Sequence, residues 1–238
     1  LYDRKMSPAE FYPSHINTYV ERDVRMLRNV EDLGLFERFV KLCAGRIGQL
    51  VNLSSLASEC GVSHTTAEKW ISLLQASYVV YLLRPHHRNF GKRVVKTPKL
   101  YFYDIGLACS LLEIHSPRHL ATYYQRGSLF ECAMMSELLK VRYNRARRPN
   151  YYFWRDKTGH EIDCLVENAD HLQPIEFKSG RTLTEDSFKG LDYYRRLGGD
   201  TPGALVYGGI TSQKRTFVHV LRWQDVDKVP SLHPTTAY

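Results

Sequence analysis

Glu161-Ile-Asp-Cys-Leu-Val166 and Pro174-Ile-Glu-Phe-Lys178 decide how this chain reads. Both are short runs rich in β-branched and apolar residues, the signature of strands. Alternation along the second run places Glu176 and Lys178 on one face, with Ile175 and Phe177 on the other. Asp163 lies on the strand before it. Two carboxylates on successive strands can hold a hard divalent cation through oxygen. A neighbouring Lys can orient water or stabilise charge developing on a phosphate.

The surroundings extend this reading. Tyr151-Tyr-Phe-Trp154 reads as the first of three strands, and Asp156-Lys-Thr-Gly159 as the hairpin turn into the second. Upstream, a helix from about Ser128 to Tyr143 carries Glu131, with Leu129, Ala133, Met134, Leu138 and Val141 as core contacts. Downstream, Thr184 to Leu197 reads as a helix with Phe188, Leu191, Tyr194 and Leu197 on one side. Ala204 to Tyr207 and Phe217 to Leu221 read as the last strands. The order is helix, three strands, helix, two strands.

The N-terminal part reads as helices. Apolar residues at Ile16, Tyr19, Val20, Val24, Leu27 and Val30 have helical spacing. Asp32 can cap a second helix that turns Phe36, Phe39, Val40 and Cys43 inward and ends at Gly45. Leu53 to Leu74 reads as helix, Gly61 turn and Ser63-capped helix, a helix-turn-helix pattern. Tyr78 to Leu83, Val94-Val95 and Leu100 to Tyr103 read as strands. The basic stretch between them resembles the wing of a winged helix. In a duplex reader, Ser63, His64, Thr65, Thr66 and Lys69 would face a groove. As a protein–protein spacer, the same helices would carry no such role. Asp104 reads as the cap of a short helix from Ile105 to Glu113.

The chain has 238 residues, a formal charge of +8 and 43% hydrophobic residues. That suits one large or two small globular domains. No stretch approaches 18 apolar residues, so no membrane span is expected. Five scattered cysteines without C-x-x-C spacing fit reduced thiols and a cytoplasmic setting. The start at Leu1 rather than Met suggests a fragment. Arg84, Arg88, Lys92, Arg93, Lys96 and Lys99 form a basic run without an acid; a second cluster is Arg142, Arg145, Arg147 and Arg148. Arg88, Lys92, Arg93 and Lys96 are the expected phosphate contacts, together with Thr65, Thr66 and Lys69.

The element order and the placement of Glu131, Asp163, Glu176 and Lys178 resemble the PD-(D/E)xK nuclease superfamily. The resemblance implies Mg²⁺ (or Mn²⁺) held by Asp163, Glu176 and Glu131, with Lys178 assisting attack on a phosphodiester. Tyr19-Val-Glu-Arg-Asp-Val24, Lys96-Thr-Pro-Lys-Leu-Tyr-Phe-Tyr-Asp-Ile-Gly-Leu107, Gly127-Ser-Leu-Phe-Glu131, His160-Glu-Ile-Asp163 and Ile175-Glu-Phe-Lys178 are similar to a family of bacterial and archaeal AAA-type P-loop ATPases. In that family a winged helix and a nuclease-like domain follow the ATPase module. The chain carries no G-x-x-x-x-G-K-[ST], so ATP is expected to act only through an upstream module.

The expected architecture is therefore α/β: a helical and winged-helix region over residues 1–115, then a PD-(D/E)xK restriction-endonuclease-like domain over 116–238. The expected function is metal-dependent binding or cleavage of nucleic acid. The alternatives are an inactive nuclease fold that docks a partner or regulates the ATPase, and a winged-helix transcription regulator. At residue level the bland readings stay open: Glu131 pairs with an Arg, Asp163 shares a solvent face with Glu161, and Glu176–Lys178 is a surface ion pair of little worth.

Overall fold

Side-chain caps set most of the N-terminal helices. The structure, a computed structural model, describes residues 6–18, 32–87, 94–168, 171–198 and 201–232. The first helix, α1, is Pro8–Thr18. Most of the expected helix from Ile16 to Val30 falls outside the described residues. Asp32 accepts a hydrogen bond from the Leu35 amide and opens α2, Leu33–Ala44, which buries Phe36, Phe39, Val40 and Cys43. Asn52 caps α3, Leu53–Cys60, and Gly61 ends it in the left-handed conformation at φ 82°. Ser63 then caps α4, His64–Ala76, which turns Ala67, Trp70, Ile71 and Leu74 into the core. Two short strands, β1 (Val80–Leu83) and β2 (Lys99–Phe102), pair as a ribbon.

Asp104 caps α5, Ile105–Leu111, by accepting from the Gly106 and Leu107 amides. The same carboxylate accepts from the Tyr12 hydroxyl at 2.9 Å, which ties α1 to the start of α5. Ser116 caps the short α6, Pro117–Thr122.

The rest of the chain is a mixed sheet with helices. Helix α7, Arg126–Tyr143, precedes the strands β3 (Tyr151–Arg155), β4 (Glu161–Asn168) and β5 (His171–Lys178). Its buried residues include Leu129, Met134 and Leu138 as expected, and also Cys132, Met135 and Leu139, while Ala133 and Val141 are half-buried. A 3₁₀ turn, Glu185–Phe188, leads into α8, Lys189–Arg196. Strands β6 (Gly203–Tyr207), β7 (Gln213–Lys214) and β8 (Val218–Arg222) follow. The sheet order is β3-β4-β5-β6-β8-β7. β3, β4 and β5 are antiparallel neighbours, whereas β5–β6 and β6–β8 are parallel. A parallel pair needs a crossover, and α8 supplies it between β5 and β6. Leu191 and Tyr194 of α8 pack with Trp154, Ile162, Leu165 and Leu205 of the sheet.

The chain thus forms two compact units that are not divided by one cut. Residues 1–82 with 99–126 make the first, and 83–98 with 127–238 the second. The basic stretch read as a wing belongs to the second. Phe153 of β3 donates to the Arg84 carbonyl, His86 donates to the Phe153 carbonyl, and Val95 donates to the Arg155 carbonyl. Val94 forms only an isolated bridge, to Asp156. The described ends of this stretch therefore line the β3 edge of the mixed sheet, which covers main-chain groups that would otherwise be bare. Among the described residues, no helix is long and apolar enough to cross a membrane.

The β3–β4 turn forms where the sequence places it. Buried Asp156 accepts from the Thr158 and His160 amides, from the Thr158 hydroxyl and from Tyr193 of α8. Burial alone would raise its pKa, but these donors outweigh it and hold the carboxyl below its ordinary value. Gly159 takes φ 97°, a conformation that favours glycine.

Candidate metal centre

Strands β4 and β5 part at the candidate site. Their pairing runs from Asn168–His171 to Cys164–Ile175. Beyond it, the Phe177 amide donates to the Asp163 carboxylate at 2.9 Å. From Ile175 to Lys178, β5 pairs on its other side with β6. Asp163 thus fastens the fork between the strands through one oxygen, and its second oxygen carries no part of that bond.

Three carboxylates meet here. Glu131 of α7 and Glu161 and Asp163 of β4 each offer an oxygen, and these oxygens lie within 4.8 Å of one another. All three residues are half-buried. Around Mg²⁺ at about 2.1 Å, adjacent ligand oxygens stand roughly 3 Å apart and opposite ones roughly 4 Å apart. The three oxygen donors could hold a hard divalent cation. Arg155 Nη1 lies 3.3 Å from Glu161 and offsets part of the mutual repulsion.

Glu176 and Lys178 stand beside this group as a pair. Lys178 Nζ donates to Glu176 Oε2 at 2.6 Å. The Glu176 side chain is 5% exposed and that of Lys178 36%. Burial pushes the Glu176 carboxyl up, Asp163 and Glu131 add to the rise, and Lys178 opposes it. Burial works to lower the Lys178 pKa, but Glu176, Asp163 and Glu131 outweigh it and hold the ammonium charged. Glu176 is thus electrostatically part of the site, while its carboxylate is already engaged by Lys178.

Sequence reasoning names Glu131, Asp163 and Glu176 as ligands; the three that converge are Glu131, Asp163 and Glu161. The signal for Glu161 lies in the same alternation used for Glu176 and Lys178, because residues 161 and 163 share a strand face. Gly190 is the other residue that reading misses. A Cβ at Gly190 would lie 2.6 Å from Glu176 Oε1 and 3.2 Å from the Glu161 carbonyl oxygen. The glycine lets α8 press against the site. Gly190→Ala is therefore expected to cost about 1–3 kcal/mol through overpacking and to weaken the stabilising effect of Mn²⁺. Chemical denaturation with and without Mn²⁺ measures both. An unchanged Mn²⁺ response in a folded variant would detach α8 from the site.

The expected nucleic-acid contacts fall in both units. On α4, Thr65 and Lys69 are exposed, whereas Thr66 is half-buried and bonded to Ser63 through its amide and hydroxyl. Lys96, in the second unit, is exposed. Arg88, Lys92 and Arg93 lie outside the described residues.

Comparison with known proteins divides the chain in two. Residues 126–226 match the family model DUF4143, a domain of unknown function. Residues 1–118 match DUF8612, also a domain of unknown function. The whole candidate centre lies within the DUF4143 match. Over 176 residues the chain is 31% identical to an uncharacterized protein of Mycobacterium tuberculosis and, equally, to one of Mycobacterium bovis. The matched stretch is 74% of this chain but 38% of each relative, so the chain spans about two fifths of the length of the curated relatives it matches.

Proposed function

We propose that the second unit is a PD-(D/E)xK-type site that uses a divalent metal to bind and cleave nucleic-acid phosphodiesters. The reading rests on one juxtaposition: the oxygens of Glu131, Glu161 and Asp163 gathered within 4.8 Å, with the charged Lys178 beside them. The three carboxylates would hold Mg²⁺ or Mn²⁺, which supplies Lewis-acid polarisation of a phosphoryl oxygen and a more acidic water. Asp163 is positioned by the Phe177 amide, so its free oxygen is fixed before a ligand arrives. Lys178 is partly exposed and held charged, placing a cation where negative charge would develop on a phosphate. In the intact protein, an ATPase module of the AAA type would couple this site to ATP-driven rearrangement.

A second reading has its own observation. The closed Glu176–Lys178 contact already pairs the ammonium with a carboxylate, as suits an inactive fold retained to dock a partner or regulate an ATPase. Glu161→Gln tests between them. Isothermal titration with Mn²⁺ is expected to show at least tenfold weaker binding than wild type, and single-turnover cleavage of labelled DNA should fall with it. Tight Mn²⁺ binding that survives both Glu131→Gln and Glu161→Gln would remove the centre. Metal binding without cleavage of single-stranded, duplex or branched DNA would favour docking.

A further inference from the structure

We propose that a cleft between residues 183–195 and residues 215–218 is a stacking site for single-stranded nucleic acid; the inference rests on reading the second unit as acting on nucleic acid. The cleft has a volume of about 640 Å³ and is lined by Phe188, Lys189, Arg195, Arg215 and Phe217. That volume lies within the roughly 300–1,000 Å³ common for ligand sites.

Two arginines sit over two rings. The Arg195 guanidinium sits 4.4 Å from the Phe217 ring centre, and that of Arg215 lies 4.4 Å from the Phe188 ring centre. Phe188 belongs to the core, so Arg215 covers the outer side of a fixed ring. Phe217 is 50% exposed, so part of its ring faces water. Both arginines are exposed, and among the described residues neither forms an ion pair. A guanidinium stacked on a ring engages its face and leaves its in-plane N–H donors free for phosphate oxygens.

The acids in the cleft narrow the choice of partner. Glu185 and Asp192 also line it, and Lys189 is held by Asp186 at 2.6 Å. The cleft is therefore not a strongly positive trough that captures any polyanion. It offers an exposed ring and two planar cations, which suits a ligand that brings a flat base with each phosphate. A duplex keeps its bases stacked inside and cannot use the ring. An acidic peptide brings charge without the base.

The test uses the 238-residue chain and a short fluorescein-labelled oligothymidylate, with anisotropy read in EDTA so that no metal is involved. Wild type should bind the single strand more tightly than a blunt duplex or polyglutamate. Phe217→Ala should weaken binding about five- to a hundredfold, as for loss of one base–aromatic stack. Phe217→Leu should weaken it similarly, because it keeps apolar bulk without a π face, and Phe217→Trp should restore it. Arg195→Gln with Arg215→Gln should flatten the log K against log salt slope by about 0.7 per lost contact. Each variant should keep the wild-type Mn²⁺-induced thermal shift, which reports an intact fold and metal centre. Equal binding by wild type and Phe217→Ala, equal binding of single strand and duplex, or competition by polyglutamate at matched charge would each overturn the stacking site. So would wild type that binds no oligothymidylate. None of these results touches the metal-centre reading, which Mn²⁺ titration decides separately.

Discussion

Asp163→Asn is expected to remove the rise in thermal midpoint that Mg²⁺ or Mn²⁺ gives the wild-type chain. At a hundred times the dissociation constant, a ligand that binds only the folded state stabilises it by about 2.7 kcal/mol. For a protein of this size each kcal/mol moves the midpoint by roughly 2–4 °C, so a wild-type shift of about 5–10 °C should vanish. Asn is the informative replacement because its carbonyl oxygen can still accept from the Phe177 amide. The fork between β4 and β5 keeps its fastening while the site loses a charge. The metal-free midpoint should consequently change little. Equal metal-induced shifts in wild type and Asp163→Asn would take this carboxylate out of the site.

Lys178→Met separates catalysis from docking. Met keeps much of the side-chain length and removes the ammonium. Loss of one preorganised group that stabilises transition-state charge costs about 10²–10³ in rate, and metal-dependent cleavage should fall by that amount. The Mn²⁺-induced thermal shift should survive, because Lys178 is not a ligand. A stability cost accompanies the change, since Glu176 is left buried without its 2.6 Å partner. A fully buried pair broken on one side costs roughly 3–5 kcal/mol; with Lys178 a third exposed, about 1–3 kcal/mol is expected. Thermal melts and single-turnover cleavage read the two effects separately. Cleavage unaffected by the substitution would remove Lys178 from the chemistry.

Local chemistry made much of this fold legible. Asp32, Ser63 and Asp104 cap the helices that the sequence assigns to them, because a cap needs only its own first turn. The Asp156–Gly159 turn is legible for the same reason. The β3 pairing of Arg84, His86 and Val95 is not, since their partners lie on β3, some sixty residues away in the chain, and no local pattern encodes it. At the centre, strand alternation places Glu131's partners only in part. It puts Glu161 and Asp163 on one face, but whether that face meets water or Glu131 depends on where α7 lies. Glu176 was the reverse case. Its spacing suits a ligand, yet the approach of α8 through Gly190 and the contact with Lys178 bury and engage it. The β7 strand, only Gln213–Lys214, is too short to leave a sequence signature.

The discontinuous second unit has a practical corollary for dissection. The backbone passes between the two units three times, after residues 82, 98 and 126. A gene fragment that starts at 127 would encode α7 and the six-stranded sheet but discard 83–98, stripping the β3 margin of the main-chain partners supplied by Arg84, His86 and Val95. Exposed margins of this kind invite self-association. A shuffling event with a single junction would do the same damage. An excised second unit should therefore be built with residues 83–98 grafted back through a linker.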